Sequence, residues 1–234
     1  MLSRHALQAI AFDFDGTLAD SRIDFTEMRA ALHATVSRFM QPPSDSGMYI
    51  LEWLEAAENE LAETSAPQAA LLKQATLKTI EEIEVAAARR GQMFSGAVHM
   101  LQQLKSAGIS TYIVTRNCRA GVLAMLPEAY SLCTGVFTRD DVTAVKPDPR
   151  HLTQALAVCG CPAQNALMVG DHPMDILMGK QAGAVTAGVT TGEGNHETLQ
   201  QAGADYIADS LQELMQSIGP ALAAAKQQPR KDRP

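Results

Sequence analysis

Asp13 and Asp15, in Asp13-Phe14-Asp15-Gly16-Thr17, follow directly on the apolar run Ala9-Ile10-Ala11-Phe12. Two carboxylates at that spacing, with Gly16 allowing a sharp turn, suit a hard divalent cation and a nucleophile side by side. An acidic turn leaving a strand accounts for the same residues more plainly. A second candidate is Ile113-Val114-Thr115-Arg116-Asn117, where a hydroxyl at a strand end can bind a phosphate oxygen or simply cap a helix. A third is Lys146 in Val145-Lys146-Pro147-Asp148-Pro149. There Asp148 reads as a helix N-cap and Pro149 as the first helical residue, and neither role explains the lysine. The last is Val169-Gly170-Asp171-His172-Pro173-Met174-Asp175. Asp175 suits the acidic first turn of any helix, whereas Asp171 leaves its strand before the helix begins.

These residues need elements to hold them. Apolar runs without alternation, the pattern of strands buried on both faces, occur at Ala9–Phe12, Ser110–Val114, Gly135–Thr138, Ala166–Val169, Val185–Val189 and Tyr206–Ala208. Helical patterns at Ala97–Ala107, Pro149–Val158, Met174–Ala182 and Leu211–Ile218 lie between or after them, two ending in Ala-Gly. The alternation predicts an α/β fold with a doubly wound, mostly parallel sheet, and ligands in such sheets bind at the carboxyl ends of the strands. From Asp24 to Arg90 the alternation stops. One helix is expected around Phe25–Phe39, followed by the breaker Pro42–Gly47. Pro67 then opens a long helix that ends at Arg89-Arg90-Gly91 with cations and a glycine. The expected division is residues 1–22 and 92–225 as the α/β core, 23–91 as an all-helical cap inserted after the first strand, and 226–234 as a disordered polar, basic tail.

Composition narrows the classes. In 234 residues with 46% hydrophobic and 19% charged there is material for a real core, and the net charge of -7 argues against nucleic acid as a partner. Cys118, Cys133, Cys159 and Cys161 show no zinc-ligand or disulfide-framework spacing and read as reduced thiols. No signal-peptide core and no membrane-length apolar run is present, so the expectation is a cytoplasmic protein without a membrane role.

Asp-x-Asp-Gly-Thr, Thr115, Lys146 and Gly-Asp-x-x-x-Asp, in that order at four strand ends, resemble the four motifs of the haloacid dehalogenase superfamily of aspartyl-nucleophile phosphatases. The resemblance runs from Leu7 to about Ile218. The LQQLKSAG helix and the GADYIADSLQEL ending are similar to the phosphoglycolate-phosphatase-like branch, in which a helical cap lies between the first two motifs.

The resemblance implies a Mg²⁺-dependent phosphatase acting on a small phosphorylated metabolite. Asp13 would be the nucleophile, forming an aspartyl-phosphate, and also a Mg²⁺ ligand, with Lys146 screening charge. Asp15 would be the acid and base, with its carbonyl on the metal. Thr115 and the Gly16–Thr17 region would hold phosphoryl oxygens, and Arg116 and Asn117 would line the substrate. Asp171 would be a direct metal ligand and Asp175 a direct or outer one. Arg116 and His172 depart from the family pattern: Arg116 either adds a guanidinium to the phosphate site or points away, and His172 either meets substrate or is an ordinary half-exposed histidine. Arg22, beyond the first motif, is a candidate contact for an anionic substrate or a solvated linker residue. The cap is expected to open and close on its two linkers, admitting small phosphomonoesters and excluding phosphoproteins. Monomer and homodimer are both compatible.

A sugar-phosphate mutase of the beta-phosphoglucomutase type keeps the same catalytic residues and stays open. A metal-free dehalogenase has no use for Asp15, an ATPase relative would carry Lys and Thr after its nucleophile, and a receiver-type signalling domain would be shorter, without Asp-x-Asp.

Overall fold

The computed structural model describes residues 7–44 and 47–226, with side chains described as far as Gly219. The described residues form two compact units: Arg22–Arg90 is one, and the chain on either side of it is the other. In chain order the elements are β1 (Ala9–Phe12) and β2 (Ala19–Asp20), then three helices, α1 (Phe25–Val36), α2 (Ile50–Thr64) and α3 (Ala66–Ala88). There follow β3 (Gln92–Met93), α4 (Ala97–Ser106), β4 (Ser110–Val114), α5 (Arg119–Met125), α6 (Ala129–Leu132), β5 (Gly135–Phe137) and α7 (Pro149–Ala157). The chain continues through β6 (Ala166–Gly170), α8 (Pro173–Ala182), β7 (Val185–Val189), α9 (His196–Gln201), β8 (Tyr206–Ala208) and α10 (Leu211–Lys226). The basic tail expected to be disordered lies, beyond Lys226, outside the described residues.

Six strands pair in the order β5-β4-β1-β6-β7-β8, every neighbour parallel. The chain builds outward from β1 to β4 and β5, then returns to β6 on the other side. The carboxyl end of β1 therefore stands at the topological switch point, where open α/β sheets bind ligands. All four residues of β1 are fully buried, because apolar side chains are packed on both faces. Ile10 and Phe12 join Leu101, Leu104, Leu214 and Ile218 on one face, while Ala9 and Ala11 join Leu152, Leu156 and Met178 on the other.

The helical insertion has a core of its own, with Met28, Leu32, Trp53, Leu54, Leu72 and Ile80 buried together. Asp24 opens α1 by accepting the Thr26 and Glu27 N–H groups, and Ser65 both ends α2 and caps α3, whose second residue is Pro67. The chain enters and leaves this unit beside a two-residue antiparallel ladder of Ala19–Asp20 with Gln92–Met93. All four cysteines are free thiols, and no described helix is long and apolar enough to cross a membrane.

Candidate active site

Asp13 extends β1 by one residue, its N–H donating to the Val169 carbonyl at 2.8 Å. Its Oδ1 accepts from the Phe14 N–H at 2.6 Å and lies 2.6 Å from the Lys146 ammonium. Lys146 also reaches Asp175 Oδ1 at 2.8 Å, and its side chain is only 2% exposed. Asp175 sits in the first turn of α8, where its Oδ2 accepts the His172 N–H at 3.1 Å, so it serves the helix cap and the ion pair at once. Asp171, between β6 and α8, accepts the Thr17 hydroxyl on Oδ1 at 2.8 Å and the Glu193 N–H on Oδ2 at 3.0 Å.

Asp13, Asp171 and Asp175 offer oxygen atoms within 4.8 Å of one another, all buried. Burial is the largest influence on each of the three carboxyls. It pushes Asp13 up to about 7, with Asp175 and Asp15 pushing the same way and Lys146 opposing. It also pushes Asp171 up to about 7, helped by the Asp13 charge and resisted by the Thr17 and Glu193 hydrogen bonds. Asp175 is raised as well. Burial disfavours the Lys146 ammonium too, yet the two carboxylates beside it hold it above its ordinary value. Three buried carboxylates facing one ammonium form an excess of negative charge with oxygen donors alone, the donor set a hard divalent cation takes. The residues present fit Mg²⁺.

Asp15 does not join that cluster with its side chain. The turn after β1 is closed by the Leu18 and Ala19 N–H groups on the Phe14 carbonyl, both at 2.9 Å. Gly16 takes φ +78° there, and a Cβ on it would collide with the Asp171 carboxylate. Through this turn the half-buried Asp15 carboxylate meets the Asn117 amide, which donates to both oxygens at 3.0 Å, with the Thr115 hydroxyl 3.4 Å away. Two carboxylates adjacent in sequence motif thus face different surroundings, one an ammonium and two carboxylates, the other an amide and a hydroxyl.

Thr115 is buried and is not the cap of the next helix. Its Oγ1 accepts the Asn117 N–H at 3.1 Å, while Cys118 caps α5 through its sulfur. Arg116 donates from Nη1 to the Lys146 carbonyl at 2.7 Å. His172 accepts the Met174 N–H on Nδ1 at 3.2 Å and lies 4.0 Å from Glu193, with burial lowering its pKa. Arg22 begins the helical unit with a positive φ of 55°.

The loop after β7, Thr190-Thr191-Gly192-Glu193-Gly194, also belongs to the site, although none of the four motifs marks it. Besides the Glu193 N–H on the Asp171 side chain, the Gly194 N–H donates to the Asp171 carbonyl at 3.0 Å and the Thr191 hydroxyl to the Gly16 carbonyl at 2.6 Å. A Cβ at Gly192 would strike both Asp171 and Gly16, so this loop can lie against the site only with glycine there. Its signal was two glycines at a strand's carboxyl end.

A family model described as a haloacid dehalogenase-like hydrolase matches residues 7–183. The chain belongs to that family. It is a hydrolase of haloacid dehalogenase type with phosphatase relatives. A phosphoglycolate phosphatase of Synechococcus elongatus is 28% identical over 214 residues, 91% of this chain and 97% of the relative. A pyrophosphatase PpaX of Bacillus velezensis is 36% identical over 121 residues, 51% of this chain, and the match spans only 56% of that relative's length. The crystal structure of a hydrolase from Pseudomonas syringae shares the fold, with a TM-score of 0.68 at 23% identity over 91% of this chain and 98% of the other. The parallel α/β sheet with a helical insertion is the architecture expected from the sequence, the insertion following the short β2 as well as β1.

Proposed function

We propose that the chain is a Mg²⁺-dependent phosphatase that hydrolyses a small phosphomonoester through an aspartyl-phosphate on Asp13. The observation that carries this reading is the difference in surroundings between two carboxylates two residues apart. Asp13 faces Lys146 and the other buried aspartates, whereas Asp15 stands apart on Asn117.

A carboxylate that attacks a phosphate dianion meets charge repulsion, and Lys146 at 2.6 Å supplies a fixed, desolvated positive charge against it. Lys146 and the Phe14 N–H share Oδ1 of Asp13, which orients the carboxylate. Asp13, Asp171 and Asp175 are the residues that would hold Mg²⁺, with the Asp15 carbonyl as a further ligand. Bound there, the ion supplies Lewis-acid polarisation of the phosphoryl oxygens and neutralises charge in transfer. Thr115 and the backbone of the Gly16–Thr17 turn hold phosphoryl oxygens. Asp15 protonates the departing alkoxide and then takes a proton from the water that hydrolyses the aspartyl-phosphate. The Asn117 amide holds its carboxylate in place for both transfers.

The likeness to a phosphoglycolate phosphatase along nearly its whole length supports a small phosphorylated metabolite, with phosphoglycolate the first to try. The helical unit Arg22–Arg90, residues 23–91 in the division expected from sequence, would act as the cap that selects it. Phosphate release should be measured against phosphoglycolate, sugar phosphates, nucleotides, pyrophosphate and a folded phosphoprotein, with Mg²⁺ and with EDTA. A small phosphomonoester should be turned over fastest, only with metal, and not by Asp13→Asn. Activity surviving either EDTA or Asp13→Asn would overturn the mechanism, and preference for the phosphoprotein would overturn the substrate class.

A further inference from the structure

Lys146 stands on no regular element. It lies in the loop between β5 and α7, yet its ammonium is placed within 2.6 Å of Asp13 and 2.8 Å of Asp175. A lysine stem has four rotatable bonds, so the place of its charge depends on what fixes its backbone.

The backbone is held from both sides. The Lys146 N–H donates to Nδ1 of His151 at 3.3 Å, and the Lys146 carbonyl accepts from Nη1 of Arg116 at 2.7 Å. His151 sits in the first turn of α7, fully buried, with Nε2 3.1 Å from the Phe137 carbonyl. An N–H can only donate and a carbonyl only accept. Both contacts are therefore made together solely by a neutral ring with its proton on Nε2. Burial and the nearby Lys146 charge lower the His151 pKa to about 4, which keeps the ring neutral. The same Phe137 carbonyl also accepts the Thr115 N–H at 3.0 Å. A continuous path of hydrogen bonds thus runs from Thr115 through Phe137 and His151 to the Lys146 amide. Arg116, the neighbour of Thr115, closes it on the Lys146 carbonyl, and its own carbonyl accepts from Arg139 Nη1 at 3.0 Å.

We infer that His151 and Arg116 are positioning residues, which clamp the Lys146 peptide to the end of the Thr115 strand and so set where the ammonium stands relative to Asp13. The inference rests on the proposed roles of Asp13 and Lys146. It gives Arg116 a task at the Lys146 backbone, where the sequence had suggested substrate. It gives His151 a task beyond occupying a buried place in the first turn of α7.

The test compares His151→Leu with His151→Asn, whose Oδ1 can accept the Lys146 N–H, and Arg116→Met with Arg116→Lys, using nitrophenyl phosphate with Mg²⁺. Misplacement of a reacting charge by about 1 Å costs on the order of 100-fold. The apolar variants should therefore lose roughly 10- to 100-fold in kcat with much smaller changes in KM, and the hydrogen-bonding variants should recover most of it. Equal losses in Leu and Asn, or kcat untouched in all four, would overturn the clamp. Hydrogen exchange at the Lys146 amide reads the clamp without any turnover. Exchange should quicken in His151→Leu while the β4 amides stay protected, and unchanged exchange also overturns it. Wild-type protein inactive on every phosphate ester would instead count against the proposed function and leave the exchange result to decide the clamp. Should His151→Leu fail to fold, the Arg116 pair on its half-buried side chain carries the same comparison.

Discussion

Replacing Lys146 by Met keeps most of the stem's volume and removes the ammonium that faces Asp13 and Asp175. With Lys146 present, Asp13 and Asp171 already stand near 7, because burial outweighs it. Their folded pKa lies above the unfolded value near 4, so the native state holds more protons between the two. The contribution of these two groups to wild-type stability in the absence of metal therefore falls as pH rises from about 4 to 7. Without Lys146 both groups must move further up, and the loss continues above pH 7. A shift of one unit in one carboxyl is worth about 1.4 kcal/mol. One unit in each of one or two carboxyls makes the penalty of Lys146→Met about 1–3 kcal/mol larger at pH 9 than at pH 5. That is readily measured against a domain stability of roughly 5–15 kcal/mol. Urea unfolding of both proteins in EDTA at the two pH values is the assay. A penalty equal at both, or larger at pH 5, would refute the reasoning that Lys146 offsets the buried carboxylates.

Asp15→Asn should keep relatively more activity on nitrophenyl phosphate than on an alkyl phosphate, since a good leaving group needs little protonation. Equal proportional losses in steady-state rates on the two esters would remove Asp15 from acid catalysis. Gly192→Ala should lower the melting temperature by an amount equivalent to about 1–3 kcal/mol and raise the Mg²⁺ concentration needed for half-maximal activity, because the new methyl group displaces the Asp171 carboxylate. Calorimetry and a Mg²⁺ titration check the two halves, and normal values in both would mean that the loop does not hold Asp171.

What was legible in the sequence is what depends on neighbours in sequence. The runs Ala9–Phe12, Ser110–Val114 and Val185–Val189 are strands at the expected residues, because a strand covered on both faces is built mostly of apolar and β-branched side chains. Asp148 and Pro149 start α7 as capping chemistry requires. By contrast, α2 has no written start: its N-cap residue, Tyr49, makes no side-chain cap bond, so the stretch reads as helix without a boundary. The strands β2 and β3 are two residues long and exist only because residues some seventy positions apart pair, Ala19 with Met93 and Asp20 with Gln92. The same distinction runs through the site. Asp13, Thr115, Lys146 and Asp171 are legible together, as motifs in order at strand ends or before a helix. Of the groups that hold them, His151 reads as an ordinary first-turn residue until its ring meets Phe137 and Lys146, and the Thr191–Gly194 loop reads as a plain turn until it closes on Gly16 and Asp171. The candidate reactive groups are read from four motifs in order along the chain, not from any one residue. The groups that aim them come from whichever segments the sheet order makes neighbours, which is why β5, the outermost strand on its side, supplies the Phe137 carbonyl that joins Thr115 to the backbone of Lys146.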